Sequence, residues 1–209
     1  SGNVAVVEEF NAHIHKLRET LYPLLLRRAG CFEELRQSLV RHGVQLAAWS
    51  DLSPAQCEEA RRYFESHVSP ALTPLSLDPS HPFPFMSNLS TSWGFVLKDA
   101  ETADRILVRV KVPTALPQWL PLRADVAAGQ RCFISLQELV RVNAASLFPG
   151  VAIEATTLFR VSRNADIAIE EDSDNSIKEM VEEQVRQRRF QPVVRLEFAE
   201  GASSEIRDG

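Results

Sequence analysis

The chain has 209 residues, of which 44% are hydrophobic and 24% charged, so it is long enough to bury a core and has an ordinary globular composition. Its formal net charge of -5 argues against general binding to nucleic acid or to anionic membranes, because both depend on a net basic surface. Its three cysteines are widely spaced and form no CxxC pair, which predicts a reducing compartment and three buried or half-buried thiols.

Two helical segments are predicted at the start of the chain. Apolar residues recur at three- and four-residue steps over residues 4–28, a pattern typical of an amphipathic helix, with Pro23 as a kink. A second stretch over residues 32–40 ends at Gly43, a favourable C-terminal cap. We expect these two segments to form a helical hairpin.

A third helix is expected from Ser53 to about residue 67. Serine is a good helix cap, Pro54 suits the first helical position, and Gln56 stands where its side chain can close a capping box.

Residues 69–85 contain five prolines and several apolar side chains, which predicts an ordered loop. We expect Phe83 and Phe85 to pack where the helical segment meets the sheet, and Asp78 and His81 to belong to the same structural loop. His81 could act as an acid or a ligand, or it could hold the loop through a ring N–H. The structural role is favoured because no carboxylate or thiol partner is evident.

The second half of the chain alternates between strands and helices. Strands are expected at residues 93–97, 105–112, 151–161 and 193–198, and helices at 135–147 and 176–189, with Ser135 and Glu138 as a second capping box. In residues 105–112, apolar side chains alternate with Arg109 and Lys111, so one face should be buried and the other wet. The fold class is therefore α+β, a helical hairpin followed by one mixed β-sheet flanked by helices.

Two arginine clusters are candidate contacts for phosphate or polyphosphate. Arg160 and Arg163 stand at a predicted strand exit, and Arg188 and Arg189 stand at the end of a predicted helix. The first pair could instead bind the acidic residues at 166–174, and the second could simply complement the helix dipole. We identify no catalytic, cofactor-binding or metal-ligating residue in this chain.

The spacing of Arg160 and Arg163 leaves two geometries open. Strict strand alternation sends side chains three residues apart to opposite faces. A turn beginning at Ser162 would bring both to one edge, which a shared anion requires.

Many short segments occur in an order that closely resembles bacterial polyphosphate kinase of the long, histidine-autophosphorylating family. They are Leu72-Thr73-Pro74-Leu75, Asp78-Pro79-Ser80-His81-Pro82-Phe83-Pro84-Phe85, Ser87-Asn88-Leu89-Ser90, Arg109-Val110-Lys111-Val112-Pro113, Leu147-Phe148-Pro149-Gly150, Phe159-Arg160-Val161 with Arg163 and Ala165-Asp166, Arg188-Arg189-Phe190, and Val193-Val194-Arg195-Leu196-Glu197. The resemblance implies that residues 1–48 end an N-terminal helical domain and that residues 49–209 form a middle or head domain, similar to phosphohistidine phosphatase and truncated at its C-terminus.

The same resemblance implies an activity for the parent protein. It would transfer the terminal phosphate of ATP reversibly to inorganic polyphosphate through a phosphohistidine, with Mg²⁺, and those sites would lie in other domains. This piece would then be non-catalytic and serve assembly and channel shaping, with the remaining domains of the polypeptide and a homo-oligomer as partners. The alternative is a stand-alone module that binds phosphate or polyphosphate.

The sequence has no apolar run of about 18 residues and no signal-peptide pattern at its start. We therefore expect a cytoplasmic protein with no transmembrane segment, with peripheral attachment at the inner membrane as an alternative. No nucleic-acid partner is expected.

Overall fold

A single helix, α1 (Gly2–Arg41), runs without a break for 40 residues in the computed structural model, which describes residues 2–77, 86–98, 104–164 and 191–202. The predicted helical hairpin is therefore wrong. Pro23 lies inside the helix, and Gly30 interrupts nothing. A lone helical glycine costs only about 1 kcal/mol relative to alanine, which is too little to end a helix that has no second breaker beside it.

The predicted cap at Gly43 is confirmed. Gly43 has a positive φ of 75°, and its N–H donates to the Val40 carbonyl, which closes the last turn of α1. The carbonyl of Gly43 then accepts from the Arg131 N–H at 2.7 Å. This bond begins the pairing of a short strand, β1 (Val44–Ala47), which the sequence pattern missed.

Helix α2 (Pro54–Tyr63) begins with the predicted capping box. The Gln56 N–H donates to Ser53 Oγ at 3.2 Å, and the Ser53 N–H donates to Gln56 Oε1 at 2.9 Å. The helix continues through a π-helical turn, Phe64–Val68, so the expected end near residue 67 is confirmed.

The described residues form two sheets in place of the single predicted one. The strands after β1 are β2 (Pro74–Leu77), β3 (Thr91–Lys98), β4 (Arg105–Lys111), β5 (Trp119–Leu122), β6 (Arg131–Ser135), β7 (Ala152–Arg163) and β8 (Val193–Phe198). The first sheet has the order β1-β6-β5, with β1 parallel and β5 antiparallel to β6. The second has the order β2-β4-β3-β7-β8 and is antiparallel throughout. The α+β class with mixed strand directions is confirmed.

The main core joins both sheets and the helices. It contains Phe64 after α2, Phe95 of β3, Ile134 of β6 and Leu139 of the short helix α3 (Leu136–Val142), all at most 1% exposed. Met86, Phe159 and Val161 form a smaller cluster with Phe198. Strand β3 is buried along almost its whole length, with only its two end residues half-exposed.

The second predicted capping box forms only in part. Ser135 Oγ accepts from the Glu138 N–H at 3.1 Å, as expected. The Glu138 carboxylate does not return to Ser135, because its two oxygens accept from the Arg141 guanidinium at 2.6 and 2.9 Å. The backbone N–H of Trp49 approaches the same carboxylate at 3.4 Å, so Glu138 links α3 to the segment after β1.

The prediction about the cysteines is wrong in one case. Cys132 is buried and Cys57 is half-buried, whereas Cys31 is exposed on α1. No helix in the described part of the chain is long and apolar enough to cross a membrane.

Candidate functional site

Arg160 lies on β7 directly opposite Glu197 of β8. Its Nε donates to Glu197 Oε2 at 2.8 Å, and its terminal nitrogen Nη2 lies 2.7 Å from the same oxygen. The other oxygen, Oε1, accepts from Arg195 Nη2 at 2.8 Å. One carboxylate therefore holds two guanidinium groups, and Arg160 serves at least to fix β7 against β8.

Arg163 stands at the end of β7 and fastens three pieces of chain together. Its Nε donates to the Met86 carbonyl at 2.7 Å, and its Nη1 donates to the Gln191 carbonyl at 2.6 Å. Its backbone N–H donates to Asn88 Oδ1 at 2.8 Å. These contacts tie the segment before β3 and the segment before β8 to the same strand end.

The structure does not bring Arg160 and Arg163 to a shared anion. Strand β7 continues through Arg163, with an irregularity in pairing between Ser162 and Arg163, so no turn begins at Ser162. The two guanidinium groups have no common partner among the described contacts. Whether either arginine contacts polyphosphate stays a prediction.

The other residues singled out from the sequence lie outside the described residues. They are the loop residues Asp78, His81, Phe83 and Phe85, the helix-end pair Arg188 and Arg189, and Asp166 with its acidic neighbours.

Arg109 is the residue that the sequence interpretation placed wrongly. The alternating pattern of β4 predicts a wet face for its side chain, yet Arg109 is only 3% exposed. The neighbouring strand explains the difference: β3 is buried on both faces, so the face of β4 that bears Arg109 does not lie against water. Burial lowers the pKa of the Arg109 guanidinium.

A single hydrogen bond holds the Arg109 side chain in the described part of the structure. Its Nε donates to Ser92 Oγ at 3.0 Å, and Ser92 itself is 0% exposed. No carboxylate contacts the guanidinium within the described ranges, and its two terminal nitrogens have no protein acceptor there. A pattern of small residues on the neighbouring strand, Ser92 and Gly94, was the available sequence signal for a large side chain lying across it.

Thr157 of β7 lies in the same row of the sheet. Gly94 of β3 pairs with Arg109 on one side and with Thr157 on the other, so the three residues stand side by side across β4, β3 and β7. Thr157 is 3% exposed, and its hydroxyl makes no hydrogen bond to any described residue. Gly94, which has no side chain, therefore stands between the buried Arg109 and the buried Thr157 in this row.

Within residues 2–77, 86–98, 104–164 and 191–202, no group of three or more histidine, cysteine, aspartate or glutamate side chains could hold a metal ion. The candidate site is the set of cationic and hydroxyl groups on the five-stranded sheet, Arg109, Ser92 and Thr157.

Comparison with solved structures shows the same fold in a known protein. The crystal structure of polyphosphate kinase from Porphyromonas gingivalis superposes with a TM-score of 0.57 and 20% sequence identity, over 66% of this chain and 24% of that one. At this identity the likeness concerns the fold alone.

Curated relatives match along most of the chain. A polyphosphate kinase from Synechocystis is 38% identical over 203 residues, which are 93% of this chain and 28% of the relative. A polyphosphate kinase from Mycobacterium avium is 37% identical over 181 residues, 83% of this chain and 25% of the relative. The chain thus spans about a quarter of the length of these relatives. A family model described as the polyphosphate kinase middle domain matches residues 55–209, and the chain therefore belongs to the polyphosphate kinase family.

Proposed function

We propose that this chain is a non-catalytic part of a polyphosphate kinase that transfers the terminal phosphate of ATP reversibly to inorganic polyphosphate through a phosphohistidine, with Mg²⁺. The observation that carries the proposal is the match of the middle-domain family model to residues 55–209, together with relatives that share the name polyphosphate kinase. In this proposal the chain helps to assemble the enzyme and to shape the path to its active site.

The contacts of Arg160 and Arg163 favour a structural role for these residues over a catalytic one. Phosphoryl transfer depends on cations placed around the transferred group. The Arg160 guanidinium is bound to Glu197, and two of the Arg163 nitrogens are bound to backbone carbonyls. Both side chains therefore stabilise the arrangement of β7, β8 and the segment before β3.

The experiment compares the 209-residue chain with the protein that contains this chain together with the domains present in its relatives. Each is incubated with ATP labelled at the terminal phosphate, Mg²⁺ and a short polyphosphate primer, and label in acid-insoluble polyphosphate is counted. We expect synthesis by the longer protein and none above blank by the 209-residue chain.

Two controls make the result specific. Circular dichroism and size-exclusion chromatography establish that the shorter chain is folded before its inactivity is interpreted. Synthesis by the shorter chain would contradict its non-catalytic role, and absence of synthesis by the longer protein would contradict the parent activity.

A further inference from the structure

The buried guanidinium of Arg109 carries a positive charge that no described residue neutralises. Arginine stays charged in proteins, and a buried charge is tolerated when it is paired and its donors are bonded. Arg109 is 3% exposed and donates through Nε alone, to Ser92 Oγ at 3.0 Å. Among the described contacts, the four N–H donors of its terminal nitrogens have no acceptor.

Two buried hydroxyl groups near Arg109 also have donors without a described acceptor. Ser92 accepts from Arg109 and keeps its own hydroxyl proton free of any described acceptor. Thr157, which pairs with Gly94, is 3% exposed, and its hydroxyl also has no described partner. A buried donor without an acceptor is costly, so several unpaired donors on one face of the sheet indicate an acceptor that the described residues do not provide.

The chemistry of that acceptor follows from the donors. A guanidinium with both terminal nitrogens free matches two oxygens of one anionic group, and hydroxyl groups can donate to further oxygens of the same group. A tetrahedral phosphoryl group offers three or more oxygens in different directions, whereas a carboxylate offers two in one plane. The combination of one arginine with two hydroxyls and a glycine therefore favours a phosphoryl group.

The sheet also suggests the direction from which an anion reaches the row. Lys111 is two residues along β4 from Arg109, pairs with Ser92, and is exposed. Its Nζ lies 3.4 Å from Ser87 Oγ, which is a weak contact that an incoming anion can replace. Positive charge thus extends from the exposed end of β4 to the buried guanidinium.

We propose that Arg109, Ser92 and Thr157 form an oxyanion-binding site on the five-stranded sheet that takes a phosphoryl group of inorganic polyphosphate, with Lys111 beside it at the exposed end of β4. The choice of polyphosphate rests on the proposed function. The site itself rests on the burial and the unmade hydrogen bonds of these residues.

The first test measures thermal unfolding and calorimetric binding of the 209-residue chain with tripolyphosphate as the probe. Arg109→Met removes the charge and keeps an apolar stem of similar length. Without anion we expect this variant to unfold at a higher temperature than the parent chain, because an unpaired buried charge has been removed. Tripolyphosphate should raise the midpoint of the parent chain and leave that of Arg109→Met unchanged, with an affinity loss of about tenfold or more.

Arg195→Met is the matched control, because it removes the same charge from an exposed position on β8 of the same sheet. Its affinity for tripolyphosphate should stay within about twofold of the parent value, since a screened surface charge contributes little. Citrate, a carboxylate anion of similar charge, should bind the parent chain at least about tenfold more weakly than tripolyphosphate.

A second variant, Thr157→Val, keeps every charge and nearly the same shape, so it tests the site even where Arg109→Met fails to fold. We expect it to lower the tripolyphosphate affinity about threefold to tenfold through the loss of one hydrogen bond. Unchanged affinity in Thr157→Val, or equal binding of citrate and tripolyphosphate, would overturn the proposal.

Two results together would show that a carboxylate of the polypeptide neutralises the arginine. Arg109→Met would unfold at a lower temperature than the parent chain, and the parent chain would not be stabilised by tripolyphosphate. That result would overturn the site and leave the proposed function intact, provided that the longer protein makes polyphosphate. Specific tripolyphosphate binding without polyphosphate synthesis by the longer protein would instead leave the site intact and reject the function.

Discussion

Glu197 forms an ion pair that links β7 and β8. It is bonded to Arg160 at 2.7 to 2.8 Å and to Arg195 at 2.8 Å, and its side chain is 23% exposed. Both arginines are about two-fifths exposed, so solvent screens much of the attraction. The network should therefore contribute modestly to stability and mainly fix the register of the two strands.

We expect Arg160→Gln and Glu197→Gln each to lower the free energy of unfolding by about 0.5 to 1 kcal/mol. The double variant should lose less than the sum of the two, because both changes remove the same ion pair. Urea unfolding of the four proteins measures this coupling. If the two losses in unfolding free energy add, Arg160 and Glu197 do not interact in solution. In the longer protein, a raised Michaelis constant for polyphosphate in Arg160→Gln would show that this arginine contacts the substrate.

Glu138 gives a second residue-level prediction, in the dependence of stability on pH. The Arg141 guanidinium and, to a smaller extent, the Trp49 N–H hold the pKa of the Glu138 carboxyl below its ordinary value of 4.5. A carboxyl whose pKa is lowered by folding stabilises the protein above its ordinary pKa, and that contribution is lost as the pH falls through the lowered value.

Glu138→Gln should accordingly lower the free energy of unfolding by about 0.5 to 1 kcal/mol at pH 7, since Arg141 is partly exposed. The difference between the variant and the parent chain should begin to shrink once the pH falls below 4.5. Urea unfolding at a series of pH values measures it. A difference that stays constant down to acid pH would show that the carboxylate charge is not what matters.

At the scale of elements, the end of α1 depends on one backbone conformation. Gly43 has a φ of 75°, and a Cβ placed there would lie 3.2 Å from the Gly129 carbonyl oxygen. Gly150 has a φ of 79° with nothing within 4 Å of the same position. The two glycines share the left-handed conformation and differ in the space around them.

Gly150→Ala should cost about 1 to 2 kcal/mol of stability, the price of placing alanine in the left-handed region. Gly43→Ala should cost about 1 kcal/mol more, because the added methyl group presses on the neighbouring backbone. Thermal or urea unfolding compares the two variants. Equal losses would mean that the turn after α1 moves away from residue 129 without cost.

The elements that sequence patterns predicted were those with a strong local signal. Strands β3, β4, β7 and β8 each show several apolar or β-branched residues, and the capping box at Ser53 involves residues only three positions apart. Strands β1, β2 and β5 have four residues each, and the last two contain a proline, so their existence depends on partners elsewhere in the chain.

The candidate site was predictable only in part for the same reason. The sequence places Arg163 correctly at a strand end, whereas Arg160 lies three residues before that end. Their partners come from distant parts of the chain, β8 for Arg160 and the segments before β3 and β8 for Arg163. The burial of Arg109 depends on what lies beside β4 in the sheet, and alternation along one strand carries no information about its neighbour.

At the scale of the whole molecule, the two ends of α1 differ in how they are supported. Phe10 is 63% exposed and Leu17 is 55% exposed, whereas Leu39, near the junction with β1, is half-buried. A helix with few tertiary contacts opens locally at low free-energy cost.

We expect amide hydrogen exchange of the chain at low concentration to be fast over residues 8–25 and slower towards Arg41. Helix α2, where Ala60 is 0% exposed, should be protected much more strongly and serves as the internal reference. Mass spectrometry after timed exchange resolves the two. Equal protection of both helices would contradict the prediction and show that the exposed side of α1 is covered in solution.

The parallel pairing of β1 with β6 has a consequence for how the protein is made. Val44 pairs with Arg131, and the residues between them must be synthesised before the two strands can meet. At about 5 to 20 residues per second, the ribosome needs roughly 4 to 17 s to make that stretch. In the course of this interval α1 and β1 leave the exit tunnel while the rest of their sheet does not yet exist, so this part of the nascent chain offers chaperones an unpaired strand and the exposed apolar side chains of α1.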